Sequence, residues 1–418
     1  MSTIKIGIVG CGRILNAHLR GYKTLYDQGY DSFRIVALCS RREDNAQRFR
    51  MRGEGPAPIT PIGRGAGDPL AVPPMYVSDI HDDVAVTIYT DYKQMIDRGE
   101  IDVVDITAAL PVHHEIALYA LKSGKHVMVE KPIALTVRMA RTMCEAAEDM
   151  GLVIGVAESA RYSNSLRAHK WIISEGLIGE VQMILMGGVG LGTWSPDRVL
   201  ANTPWRHKKL QGGGGISIDL GVHMFNRAMY LCGPLDTMSA MTAIFEPKRK
   251  LYDEEGKRVL GEVECSVDDA YMAVARFANG GLGQFSCTSA GHGPNYQVPG
   301  GFIIYGSKGC LREGRMFCDD GSSDRVIELF ETRAPRKLLT KQFPHGIRDV
   351  FALEKYDFLY AVETQRNPEM DGIQGLKDLV AAYAVLESAF AGRAVLVSDV
   401  EQGAVEDYQR EINHHYGF

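Results

Sequence analysis

The sequence predicts an α/β protein of two domains. A doubly wound parallel sheet occupies residues 1–157, and an α+β domain with a largely antiparallel sheet occupies residues 158–418. Three observations predict this. In the first third, short β-branched runs alternate with helical patterns, which implies a parallel sheet with helices on both faces. After about residue 157 the texture changes to a series of strands punctuated by turn signals. Finally, 418 residues with 45% hydrophobic and 23% charged content are enough for more than one core of an ordinary globular protein.

The elements follow in order. Ile4–Val9 is an almost uninterrupted apolar run, the pattern of a buried parallel strand. A helix is expected over 14–27, a strand over 33–38 and a helix over 42–51. Residues 53–84 then break the rhythm. They are rich in proline and glycine with little periodicity, and a loop this long is unusual in a compact domain. They read as a surface insertion; a flap, an oligomer contact or partial disorder are the alternatives. The alternation resumes with a strand over 101–106, a helix over 112–123, a strand over 125–129, a helix over 137–150 and a strand over 152–156. In the second part a helix is expected over 167–175 and strands over 180–187, 270–277, 281–289 and 302–305. Asn279-Gly280 between two of these is a hairpin signal. A long amphipathic helix over 376–391 is stopped by Gly392.

Charge and composition exclude several function classes. The net charge of −6 offers no basic field for nucleic acid or an anionic membrane surface. No apolar run approaches the roughly 20 residues of a membrane span. The eight cysteines are scattered, with no Cys-x-x-Cys pair and no metal-ligand spacing, which fits reduced thiols better than a disulfide framework. The first strand begins so near Met1 that no leader peptide is expected. The expectation is a soluble, cytoplasmic protein without a metal site.

Three segments carry chemistry. Gly10-Cys11-Gly12-Arg13-Ile14-Leu15 follows the first strand and opens a helix. Two glycines there permit a tight turn and close approach of a pyrophosphate to the helix N-terminus, as in the Rossmann dinucleotide fold. Leu15 stands where that fingerprint has glycine or alanine. At the end of the second strand, Ser40 replaces the acidic residue that would bind the ribose of NAD, and Arg41 or Arg42 would suit a 2′-phosphate. NADP is therefore slightly favoured over NAD; the plain alternative is that both arginines merely begin the next helix.

The second segment is the strand ending in Glu130-Lys131-Pro132. Ligands of open parallel sheets bind outside the carboxyl ends of the strands, so Lys131 faces that crevice, and Pro132 stops the strand. A solvated strand-end lysine is the commoner case. The third segment is a run of four glycines, 212–215, leading to Asp219 and His223. Four residues apart on an expected helix, a carboxylate and an imidazole share a face and together suit proton transfer with a hydroxylated substrate. Taken singly, Asp219 reads as a helix cap and His223 as a satisfied core histidine.

Together these segments resemble the Gfo/Idh/MocA family. The resemblance rests on Gly10-Cys11-Gly12-Arg13-Ile14 with His18 downstream, on Gly124 to Pro132, and on Gly213-Gly214-Gly215 leading to Asp219-x-Gly221-x-His223. Gly176 to Val181 and the run Ile303 to Leu311 add to it. It implies an N-terminal Rossmann domain and a C-terminal α/β domain whose large open sheet makes a homodimer or homotetramer. It also implies that Lys131 contacts both cofactor and substrate, with Pro132 often cis. Asp219 and His223 would bind the reacting hydroxyl, His223 as general base. Cofactor contacts would come from Gly10, Gly12, Arg13, Ile14, Ser40, Arg41, Arg42, His113, Glu130, Lys131 and Pro132. Substrate contacts would come from Lys131, Asp219 and His223, and from Arg161 and Tyr162 unless these form a linker salt bridge. Read from the residues alone, Trp205 and Arg206, with Trp194, suit sugar stacking or else core packing, and His292 lines the pocket or caps a turn. His114 is expected to be solvated.

The resulting expectation is an NAD(P)-dependent oxidoreductase acting on a secondary hydroxyl of a cyclic sugar, polyol such as inositol, or glycoside. One rival is a redox-neutral lyase or glycosidase that works through a 3-keto intermediate on tightly held NAD. Another is a non-catalytic dinucleotide sensor, which would not need Lys131, Asp219 and His223 together.

Overall fold

The structure, a computed structural model, describes residues 3–61, 68–189, 203–253, 258–291 and 294–418. The chain folds into two compact units. Unit 1 comprises Met1–Leu135, Met139–Tyr162 and Phe343–Leu376, and unit 2 comprises Thr136–Arg138, Ser163–Gln342 and Lys377–Phe418.

In unit 1 the elements run β1 (Ile4–Val9), α1 (Leu15–Asp27), β2 (Phe33–Cys39), α2 (Glu43–Arg50), β3 (Thr87–Tyr89), α3 (Tyr92–Arg98) and β4 (Val103–Ile106). They continue with α4 (His113–Lys122), β5 (His126–Glu130), α5 (Val137–Asp149) and β6 (Ile154–Ala157). All strand pairs are parallel, in the order β3-β2-β1-β4-β5-β6. The order reverses between β1 and β4, so the crevice at their carboxyl ends is where such sheets bind ligands. There the Thr107 amide donates to the Val9 carbonyl at 2.8 Å, and the Thr107 hydroxyl donates to the Gly10 carbonyl. Ile6, Ile8, Val103, Val104 and Val127 are fully buried, the two-sided burial that the apolar runs implied.

Two features of unit 1 depart from the expectation. The insertion is an exposed, irregular surface segment only over residues 53–61. Its described second half forms two single turns, Pro69–Ala71 and Val77–Asp79, and buries Val72, Tyr76, Val77 and Ile80. Val72 packs with Ala17 and Phe351, and the Met75 amide donates to the Asn16 side chain at 3.0 Å. Single apolar anchors between prolines give no periodic signal, so the sequence shows only irregularity. Second, the sequence reading runs the second domain unbroken from 158 to 418, whereas Phe343–Leu376 pack with unit 1.

Unit 2 begins with α6 (Asn164–Ser174) and β7 (Val181–Val189), followed by α7 (Lys209–Gly212), α8 (Ile216–Asp219) and α9 (Gly221–Cys232). Strands β8 (Leu235–Ala243), β9 (Lys248–Tyr252), β10 (Val259–Glu264), β11 (Ala270–Phe277), β12 (Leu282–Thr288) and β13 (Tyr296–Gly306) follow. After β14 (Gly309–Arg312), β15 (Arg315–Cys318) and β16 (Ser323–Arg325) come α10 (Val326–Arg333) and α11 (Arg336–Gln342). The helix α12 (Val350–Thr364) lies in unit 1, and α13 (Gly372–Ala391) leads to β17 (Val395–Leu396). Gly392, with φ of 64°, ends α13 as expected.

Nine strands form one sheet, β16-β15-β14-β13-β7-β12-β11-β8-β17, in which only β7 and β12 pair in parallel. Asn279-Gly280 does turn the β11–β12 hairpin, with Gly280 at φ 88°. Helix α9 covers one sheet face, where Phe225 meets Phe285 at a ring separation of 5.1 Å. The other face carries exposed apolar side chains: Met241 (80% exposed), Met272 (69%), Val274, Leu282, Met183 and Tyr305. Among the described residues no helix is long and apolar enough to cross a membrane.

Candidate active site

The glycine turn after β1 separates two demands. At Gly10 φ is 110° and an added Cβ would lie 2.3 Å from the Ala108 amide nitrogen, so the close approach of the β1 and β4 ends requires glycine. At Gly12 φ is not positive and an added Cβ would meet nothing within 4 Å. Neither backbone conformation nor packing explains a glycine there. An open face at the start of α1, where no side chain caps the Ile14 position, fits the approach of a dinucleotide pyrophosphate. Leu15 is fully buried, so the fingerprint's third position is used for core packing. The Arg13 guanidinium donates to the Thr60 carbonyl of the insertion. Ser40 is half-buried, its amide donating to Tyr89 at 3.1 Å, and Arg41 and Arg42 are exposed at the head of α2.

At the carboxyl end of β5, Lys131 is half-buried and the Lys131–Pro132 peptide is cis. Glu130 is gripped on both sides: His18 Nε2 lies 2.7 Å from Oε1, and the Lys131 amide donates to Oε2 at 3.0 Å. Burial alone would raise its carboxyl, but His18, Lys131 and Lys355 outweigh burial and hold it below the ordinary value. His113 is buried, with Nδ1 3.0 Å from the Pro132 carbonyl and Nε2 3.0 Å from the Ala108 carbonyl. It lies between the Lys131–Pro132 turn and the loop after β4, and burial pushes its ring toward the neutral form, which can donate to only one of the two carbonyls. His114 is also buried rather than solvated, because α4 packs that side of its first turn inward.

Sequence reasoning missed the ionic cluster behind this turn. Asp105, in the middle of β4, accepts from Lys355 of α12 at 3.0 Å and from Tyr22 of α1 at 2.9 Å. All three are fully buried. Lys355 and His18 overcome burial and lower the Asp105 carboxyl. The one available signal was an acidic residue inside an otherwise apolar strand, Val103-Val104-Asp105-Ile106. Nearby, Tyr162 is buried and its hydroxyl donates to Asp357 at 2.9 Å; Arg161 is buried beside it in the chain.

In unit 2 the glycine run is a packing device. An added Cβ on Gly215 would lie 1.7 Å from the Asp268 carbonyl oxygen, and one on Gly214 2.6 Å from Ile218. The Asp268 carboxylate accepts from the Gly215 amide at 2.8 Å and the Ser217 amide at 2.9 Å, starting α8. The expected single helix is in fact two. Leu220, at φ −106° and ψ −26°, stays in the right-handed region but separates α8 from α9, so Asp219 ends one helix and His223 lies in the first turn of the next. Asp219 does not cap a helix; it is ion-paired with Arg206, whose guanidinium lies 4.4 Å from the Trp205 ring centroid. Trp205, Arg206 and Asp219 are thus brought together, and His223 is half-buried on the following turn. His292 and Trp194 lie outside the described residues.

Comparison with known proteins decides the family. Residues 68–158 match the model of an oxidoreductase family with an NAD-binding Rossmann fold, and residues 166–312 match the GFO/IDH/MocA C-terminal domain. The chain belongs to the Gfo/Idh/MocA oxidoreductase family. Levoglucosan dehydrogenase of Pseudarthrobacter phenanthrenivorans is 34% identical over 232 residues, a match covering 53% of this chain and 57% of that relative. D-glucoside 3-dehydrogenase of Escherichia coli is 27% identical over 67% of this chain and 69% of its own. Myo-inositol 2-dehydrogenase of Thermotoga maritima is 23% identical over 95% and 99%. Among solved structures, apo levoglucosan dehydrogenase superposes with a TM-score of 0.73 at 23% identity, covering 95% of this chain and 99% of that one. At that identity the likeness is one of fold: the family's parallel sheet and its large, mostly antiparallel sheet.

Proposed function

We propose that this protein oxidises a secondary hydroxyl of a cyclic sugar, polyol or glycoside at the expense of NAD(P), with NADP slightly favoured. The observation that carries this reading is Lys131, a half-buried ammonium at the carboxyl end of β5 in a sheet whose order reverses between β1 and β4. The names of the three relatives given above, two sugar dehydrogenases and an inositol dehydrogenase, support the substrate class.

Gly10, Gly12, Arg13 and Ile14 would hold the pyrophosphate, and Ser40, Arg41 and Arg42 the ribose end, where the lack of a carboxylate at 40 spares a 2′-phosphate repulsion. When bound, the nicotinamide supplies the hydride acceptor. Lys131 donates a hydrogen bond to the substrate oxygen and lowers the cost of the charge that develops on it. Asp219, already oriented by Arg206, accepts from a substrate hydroxyl, and His223 takes the proton of the reacting one. Trp205 offers an apolar face for a sugar ring. The exposed apolar face of the nine-stranded sheet is read as the contact between copies in a homodimer or homotetramer.

The test is a panel of sugars, inositols and glycosides with each dinucleotide, followed at the reduced-nicotinamide absorbance band. Lys131→Ala should lower kcat by about 100-fold or more. A Lys131→Ala protein with full activity sinks the mechanism, and much tighter binding of NAD than NADP sinks the cofactor preference.

A further inference from the structure

Four elements of unit 1 converge behind the Lys131 turn. Lys355 from α12 bonds Asp105 of β4 at 3.0 Å, and His18 Nδ1 of α1 lies 3.9 Å from the same Asp105 oxygen. His18 Nε2 lies 2.7 Å from Glu130 Oε1, and Glu130 Oε2 receives the Lys131 amide at 3.0 Å. The side chains of Lys355, Asp105 and His18 have no exposure at all, and only Glu130 reaches partly toward solvent.

Buried charge is costly unless every member is paired, and a simple core would fill this space with apolar side chains. Stability therefore gives no reason for the cluster. Its geometry does. A strand-end residue ordinarily has a freely turning last peptide, because the ladder has stopped. Here the side chain of the last strand residue folds back onto the next amide, and His18 fixes that side chain from behind. The peptide plane from which Lys131 departs is set by residues that never reach the crevice.

We propose that the line Lys355–Asp105–His18–Glu130 is a positioning device for Lys131, with Glu130 its acting end. Glu130 then works through Lys131 rather than on substrate, while Asp105, held by Lys355, acts on His18 through its charge alone, since 3.9 Å is too long for a hydrogen bond. This rests on the role of Lys131 proposed above. Placing one hydrogen-bond donor to within a fraction of an ångström is where such a device gains rate.

The experiment is a mutant cycle in the full-length protein. Glu130→Ala should lower kcat about tenfold or more while the dinucleotide KM stays within about threefold, and Glu130→Gln, which keeps an acceptor for the Lys131 amide, should recover most of the rate. Adding Glu130→Ala to Lys131→Ala should cost nothing further, since the residue it acts through is gone. A wild-type rate in Glu130→Ala, or losses that multiply in the double variant, overturns the positioning role and leaves the oxidoreductase reading standing. If the wild type turns over no substrate, the oxidoreductase reading fails and amide hydrogen exchange decides the inference alone. The Lys131 amide should then exchange about tenfold faster in Glu130→Ala, with β4 amides unchanged, and equal exchange overturns it. If Glu130→Ala does not fold, Glu130→Leu carries the same measurements, because it fills the space without an acceptor.

Discussion

Glu354 offers the sharpest quantitative test of the cluster behind Lys131. It is 1% exposed, and neither carboxyl oxygen has a hydrogen-bond partner. The Lys355 ammonium lies 3.9 Å away but is committed to Asp105. Burial raises the Glu354 carboxyl well above its ordinary value of 4.5; Lys355 opposes this, and Glu130, Asp105 and Glu158 reinforce it. The folded protein therefore keeps a proton that the unfolded chain releases. A raised folded-state value means a contribution to stability that is complete below the unfolded value and lost as pH climbs toward the folded one. While the folded carboxyl keeps its proton, one proton corresponds to a slope of about 1.4 kcal/mol per pH unit, to be read between about pH 6 and 8. Glutamine has the same shape and cannot titrate. Glu354→Gln should thus gain on the wild type by that amount as pH rises. His81, His113, His114, His126 and His169, all shifted downward with burial the leading cause, affect both proteins alike and cancel in the difference. Asp105 and Glu130 are held below their ordinary values and stay ionised throughout this window. Tryptophan fluorescence is the wrong probe, because the described tryptophans, Trp171 and Trp205, belong to unit 2. Exchange of the β1 and β4 amides, corrected for intrinsic rates, reads unit 1 directly. Parallel stability curves for the two proteins would mean that Glu354 is ionised in the fold, and the charge account of the cluster would fail.

Three further outcomes follow from the same structure. Lys355→Met should destabilise unit 1 by about 3–5 kcal/mol in urea unfolding, since it leaves Asp105 buried without its cation, and adding Asp105→Leu should restore part of the loss; a neutral Lys355→Met contradicts the pairing. His223→Ala should lower kcat by about 10²–10⁴-fold, with partial recovery on adding imidazole, and an unchanged rate would reassign the proton acceptor. Met272→Glu, placed on the exposed sheet face opposite Met241, should convert the oligomer to monomer in light scattering while leaving subunit stability within about 0.5 kcal/mol. A wild type that is already monomeric refutes the proposed interface.

Much of unit 1 was legible because its strands are buried on both faces and its helices on one, so the chain itself carries both periods. β1, β2 and the helices after them begin and end within a residue or two of where the pattern put them. β3 and α3 escaped notice: the strand spans only Thr87–Tyr89, too short for any period to register. The single helix expected through Asp219 and His223 failed for a different reason. Periodicity counts residues but does not see a local break, and Leu220 supplies one. At Asp219 the sequence identified the residue but not its partner, because Arg206 comes from a separate turn thirteen positions earlier.

The sequence by itself determined the class of fold, the glycine turn, the strand-end lysine and the family. Each of these is a local pattern, written within a few residues of chain. Tertiary structure decided which glycines answer to packing: Gly10 and Gly215 are crowded by backbone from β4 and β11 approaches, while Gly12 faces open space. It also decided that Lys355, some 225 residues beyond Glu130, would share one buried cluster with it. Such pairings depend on desolvation, and desolvation is a property of the packed interior that no stretch of sequence carries alone.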